Sequence, residues 1–121
     1  MVAEKGVSLY FYNERIRIWK SVIAAIGNPK YVRLYINEKE KALYIQACRA
    51  RDNDTFPIHS NGMVERYEIV AKSLVKYLAS VIGVSFPSDS LTFDIYMLED
   101  GRTVYVDLTN YSVIPYEVED R

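Results

Sequence analysis

Between Arg15 and Tyr44 the chain concentrates side chains of two types that bind by chemistry other than burial. Arg15, Arg17, Lys20, Lys30 and Arg33 are the cationic set. A guanidinium matches a phosphate or a guanine edge with two parallel hydrogen bonds, and several cations acting together make binding fall steeply with salt. Tyr31, Tyr35 and Tyr44 are the aromatic set, on one predicted hairpin beside Arg33. Rings so placed can stack unpaired bases, or form a protein interface, where tyrosine and arginine are both enriched. The same residues also suit a solvated sheet face, in which each tyrosine buries its ring and keeps its hydroxyl wet.

Catalytic chemistry has little to draw on. His59 is the only histidine and Cys48 the only cysteine. No Gly-x-Ser-x-Gly elbow, phosphate-cradling glycine loop or metal-ligand spacing surrounds either. Cys48 closes a predicted strand and reads as a small core residue. Asp94 and Asp107 could face each other across a predicted hairpin, where they read as surface carboxylates. The sequence therefore predicts a binding protein, not an enzyme, and calls for no cofactor and no metal.

The elements that must position these residues follow from periodicity. Val7 to Tyr12 reads as a strand, and Asn13-Glu14 as a turn into Arg15 to Ile18, where the arginines share one face and Ile16 and Ile18 the other. Ser21 is placed to cap a short helix ending at Gly27, with Trp19, Val22, Ile23 and Ile26 on its apolar stripe. Tyr31 to Ile36 and Ala42 to Cys48 alternate around the charged turn from Asn37 to Lys41, a hairpin pattern. Residues 49–54 are polar and aperiodic, a connector.

The second half repeats this order. Thr55 to His59 is a strand, Ser60-Asn61-Gly62 a turn, and Arg66-Tyr67-Glu68-Ile69 echoes Arg15-Ile16-Arg17-Ile18. Lys72-Ser73-Leu74 echoes Lys20-Ser21-Val22 and opens a longer helix to Gly83. Leu91 to Leu98 and Thr103 to Leu108 form a second hairpin around Asp100-Gly101, and Tyr111 to Tyr116 an extended tail before the acidic residues 117–121. The expectation is a single α+β domain with two helices and seven or eight strands. It is a pseudo-dimer of two strand-helix-hairpin units, residues 7–48 and 55–108, interleaved around one core.

Arg15-Ile16-Arg17-Ile18, the helix to Ile26-Gly27 and the hairpin to Cys48 resemble, in order and spacing, the swapped-hairpin DNA-binding domain of AbrB-type transition-state regulators and MazE-type antitoxins. Glu14 and Trp19 stand where that family has glycine and proline, and Asn28-Pro29 where it has Gly-Asp. The resemblance covers about a third of the chain. It implies duplex DNA binding through Arg15 and Arg17, with Lys20 alongside, and through Arg66 and Lys72 of the second unit, where Glu68 takes the place of Arg17.

Charge is divided along the chain. Residues 1–51 carry ten Lys and Arg against four Asp and Glu, and residues 52–121 carry five against twelve. Such asymmetry points to a polyanionic partner for the basic half, or to attraction between the halves. No apolar run has the length of a membrane span, and the N-terminus has no signal-like apolar region, so the expected location is the cytoplasm. Two functions follow. One is an accessory DNA-binding regulator acting through the basic half, as a homodimer. The other is a protein-interaction module that uses the tyrosine-rich hairpin and binds no nucleic acid.

Overall fold

A computed structural model describes residues 4–11, 14–60, 66–83 and 90–114. Among them the strands are β1 (Glu4–Tyr10), β2 (Arg15–Trp19), β3 (Tyr31–Asn37), β4 (Ala42–Cys48), β5 (Thr55–Pro57), β6 (His59–Ser60), β7 (Arg66–Val70), β8 (Ser90–Met97) and β9 (Thr103–Ile114). The helices are α1 (Lys20–Ala25) and α2 (Lys72–Ile82). All nine strands join one antiparallel sheet in the order β5-β3-β4-β9-β8-β1-β2-β7-β6.

The two ends of that order, β5 and β6, are separated in sequence by Ile58 alone. One residue of chain spans only about 7 Å between its flanking Cα atoms, so the sheet's edges are drawn together. Residues 55–60 act as one bent strand that pairs with β3 through β5 and with β7 through β6. At the bend the Ile58 N–H donates to the Lys30 carbonyl at 3.0 Å. Counted this way the sheet is a nearly closed barrel of eight strands. Eight strands enclose a space that side chains alone can fill.

The filling comes from the period-two pattern of the strands. Leu9 lies opposite both Ile16 and Leu91, and Ile16 opposite Ile69. Val106 lies opposite both Leu43 and Ile95, and Val104 opposite Ile45. These residues form one buried cluster with Val7, Phe11, Ile18, Val32, Phe93 and Leu108. Both helices add to it. In α2 the residues at helical spacing, Val75, Leu78, Ala79 and Ile82, are buried, and Gly83 ends the helix at a φ of 93° that favours glycine. In α1, six residues long, Val22 and Ile23 are buried, and the helix is held by packing, not by its own propensity. Val22 sits over Gly6 of β1, where a Cβ would lie 2.7 Å from Val22 Cγ2 and 2.8 Å from Ile95 Cγ1.

Several expectations are corrected. The α+β pseudo-dimer of strand-helix-hairpin units, interleaved in swapped-hairpin fashion, gives way to a mostly antiparallel sheet, 54% strand, in a nearly closed barrel with two small helices. The physical reason is pairing. Strands of the first half find partners in both halves: β1 joins β2 and β8, β2 joins β7, β3 joins β5, and β4 joins β9. Neither half has a sheet of its own, and helices of six and eleven residues are too short to form a layer. Trp19 is the last residue of β2, 38% exposed, and not part of the helical stripe. No side-chain cap bond opens α1 at Trp19, so Ser21 does not cap it. Cys48 is half-buried opposite Tyr31, outside the core. The turn at Asn61-Gly62, Asn13 and the acidic residues 117–121 lie outside the described residues. Residues 111–114 of the expected tail belong to β9.

Candidate functional site

Two outward-facing clusters contain some of the residues singled out by the sequence: Arg15 and Arg17 in one, Tyr35 and Tyr44 in the other. The first lies on β1, β2 and β7. Arg17 stands directly opposite Glu68, and Arg15 two residues along the same face. Arg15 Nη1 donates to Glu68 Oε1 at 2.5 Å, and Arg17 Nε lies 2.5 Å from Glu68 Oε2. The Arg17 guanidinium also covers the Tyr10 ring, 4.2 Å from its centroid. Burial pushes the Glu68 carboxyl up, but the hydrogen bond from Arg15 and the charge of Arg17 outweigh it and hold the group below its usual range.

Arg33, on β3, is held from the connector. Its Nε lies 3.0 Å from Asp54 Oδ2 and its Nη2 3.4 Å from Asp52 Oδ2. The hydrogen bond to Asp54 raises Arg33 above its already high range and lowers Asp54 correspondingly. Lys20 opens α1 and Lys30 precedes β3, both exposed. Lys72 opens α2, also exposed, and the backbone of Arg66 pairs with Trp19. The five cations chosen from the sequence thus do not converge. Arg15 and Arg17 share one carboxylate, Arg33 is clamped by two others elsewhere on the sheet, and the lysines mark separate element ends.

The second cluster is aromatic. Antiparallel register sets Tyr35 opposite Tyr44, Tyr44 opposite Tyr105, and Tyr105 opposite Tyr96. Four tyrosines therefore form one row across β3, β4, β9 and β8. The Tyr44 and Tyr105 ring centroids are 5.4 Å apart at 55°, and those of Tyr105 and Tyr96 5.8 Å apart at 46°. Tilted rings at this separation stabilise the sheet, and Tyr44, Tyr96 and Tyr105 are half-buried. Tyr35, at the β3 end, is 49% exposed. The Tyr44 hydroxyl donates to Glu40 Oε1 at 2.9 Å, a bond that raises its pKa. Burial, with the charges of Asp107 and Glu40, raises that of Tyr105.

Tyr35 and Tyr44 were visible in the sequence as one hairpin surface, and Tyr31 is on the same face, opposite Cys48. Tyr96 and Tyr105 were missed as site residues. The signal available was their alternation within the second hairpin; the β4–β9 pairing that joins the two hairpins is non-local. Asp94 and Asp107 lie next to the Ile95–Val106 pair, where the regular pairing of the hairpin ends. A register shift begins there, with the extra residues on β9; Asp94 Oδ2 accepts from Asn110, and Asp107 Oδ1 accepts from the N–H and hydroxyl of Thr109.

Among the described residues no three His, Cys, Asp or Glu side chains are grouped to hold a metal ion, and no helix is long and apolar enough to cross a membrane. No protein-family model, curated protein or solved structure matches the chain.

Proposed function

We propose that the protein is a protein-interaction module whose working surface is the row Tyr35, Tyr44, Tyr105 and Tyr96. The observation that carries this reading is the direct cross-strand register of the four rings over β3, β4, β9 and β8. Aromatic residues held by a rigid sheet give large contact area at low cost in side-chain entropy, as binding surfaces require. The cationic set supports nucleic-acid binding less well. Glu68 partners Arg15 and Arg17, and Asp52 and Asp54 partner Arg33, so a phosphate would have to displace a carboxylate at each.

The experiment compares affinity capture by the wild-type chain and by a Tyr35→Ser, Tyr96→Ser variant. Fluorescence anisotropy on labelled duplex and single-stranded DNA from low to physiological salt runs beside it. The reading expects one polypeptide retained by the wild type and lost by the folded variant, with no saturable DNA binding at physiological salt. Saturable DNA binding that falls steeply with salt and vanishes on Arg15→Glu, Arg17→Glu substitution, with capture indifferent to the tyrosines, would overturn it.

A further inference from the structure

Resting on the reading of the tyrosine row as a protein interface, we propose that the partner segment presents an arginine whose guanidinium lies over Tyr44 and Tyr105, between Glu40 and Asp107. Two features of the row carry this. The half-buried rings of Tyr44 and Tyr105, with centroids 5.4 Å apart at 55°, suit a flat cation laid across them, since aromatic faces carry negative electrostatic potential. Both carboxylates stand on the same side of the row, toward the turn between β3 and β4, where Asp107 lies opposite Ala42. Glu40 accepts from the Tyr44 hydroxyl, and Asp107 lies two residues beyond Tyr105 on β9; the charges of both act on the Tyr105 phenol.

Each carboxylate keeps acceptor capacity beyond its internal bonds, because an ionised carboxyl offers about four lone-pair sites. Lys39 and Lys41 share the turn with Glu38 and Glu40, so their formal charges cancel and Asp107 leaves this corner net negative. A polyanion is therefore disfavoured and a cation attracted.

The described residues hold this arrangement with every member internal. Arg17 covers the Tyr10 ring while its Nε meets the Glu68 carboxylate. Tyr105 with Asp107 and Glu40 offers the aromatic and acidic components, and the partner would supply the guanidinium. Arginine fits better than lysine because its planar, weakly hydrated head stacks and hydrogen-bonds at the same time.

The test uses the full-length protein and three short glycine-spaced peptides, carrying arginine, citrulline or glutamate at the same positions. Binding is followed by NMR shifts of the tyrosine rings and the backbone amides. The arginine peptide should shift Tyr44 and Tyr105 and bind at least about tenfold more tightly than the citrulline peptide, which keeps the shape and removes the charge. The Glu40→Gln, Asp107→Asn variant should lose that preference. Equal binding of the arginine and citrulline peptides, or arginine-peptide shifts confined to other carboxylates such as Asp52 and Asp54, would overturn the arginine assignment. So would absence of binding by all three peptides. None of these results alters tyrosine-dependent capture, so the interface reading falls only if capture is also indifferent to the row.

Discussion

Glu68→Gln should destabilise the protein by about 2 kcal/mol. Truncating one partner of a buried ion pair costs about 3–5 kcal/mol and of an exposed pair about 0–1. Glu68 stands between these limits, with its side chain 15% exposed and those of Arg15 and Arg17 39% and 21% exposed. The amide replaces one of the two acceptor oxygens by a donor NH2, removes the negative charge and leaves two like charges two residues apart on one face of β2. At about 4 °C per kcal/mol for a chain of this length, the midpoint of thermal unfolding should fall by about 8 °C.

The same pair makes a pH prediction. The folded-state pKa of Glu68 is depressed, so its contribution is fully present above the ordinary value near 4.5. It is lost as pH falls from there through the lower folded value, because the unfolded chain takes up the proton first. Differential scanning calorimetry of wild type and Glu68→Gln between pH 7 and pH 3 tests both statements. The two melting curves should converge toward acid. A variant that melts within a degree of wild type at pH 7, or a gap that widens on acidification, would refute the reasoning.

Other substitutions test separate features. Ile58→Pro removes the N–H that bonds the Lys30 carbonyl where the barrel's edges meet; it should cost about 1–3 kcal/mol in urea unfolding. Gly6→Ala drives a methyl against Val22 and Ile95, both buried, and should cost about 1–3 kcal/mol by the same assay. Phe93→Ala, at a fully buried position of β8, should cost about 3–5 kcal/mol. Glu40→Gln should move the titration of Tyr44 to lower pH, since the bond to the Glu40 carboxylate stabilises the neutral phenol; ultraviolet absorbance of the phenolate, with Tyr44→Phe as reference, measures it.

Local structure was largely legible in the sequence. The expected strand 42–48 coincides with β4, 31–36 falls one residue short of β3, and the Asp100-Gly101 turn joins β8 to β9. Each is encoded by alternation and turn residues within a few positions. The sheet order was not legible, because closure depends on Ile58 joining strands at opposite ends of that order. Glu68 shows the same limit. Read along the chain, it stands at the place of a second arginine; in the folded sheet it lies opposite Arg17 and offsets one of the two positive charges on the surface that the sequence nominates. The division of charge between the halves is thus met in part internally. For the tyrosines, the hairpin from Tyr31 to Cys48 revealed half of a row whose other half arrives through β9 and β8.

The most direct test of the tyrosine row as the working surface is site-specific photo-crosslinking. A benzophenone amino acid is placed at Tyr35 in one variant and at Lys30, as control, in another, both expressed in the cells that naturally make the protein. The account predicts a discrete polypeptide adduct from position 35 that is absent from position 30 and is lost when Tyr96 is also changed to Ser. Adducts formed equally from both positions, or to nucleic acid in place of protein, would contradict it.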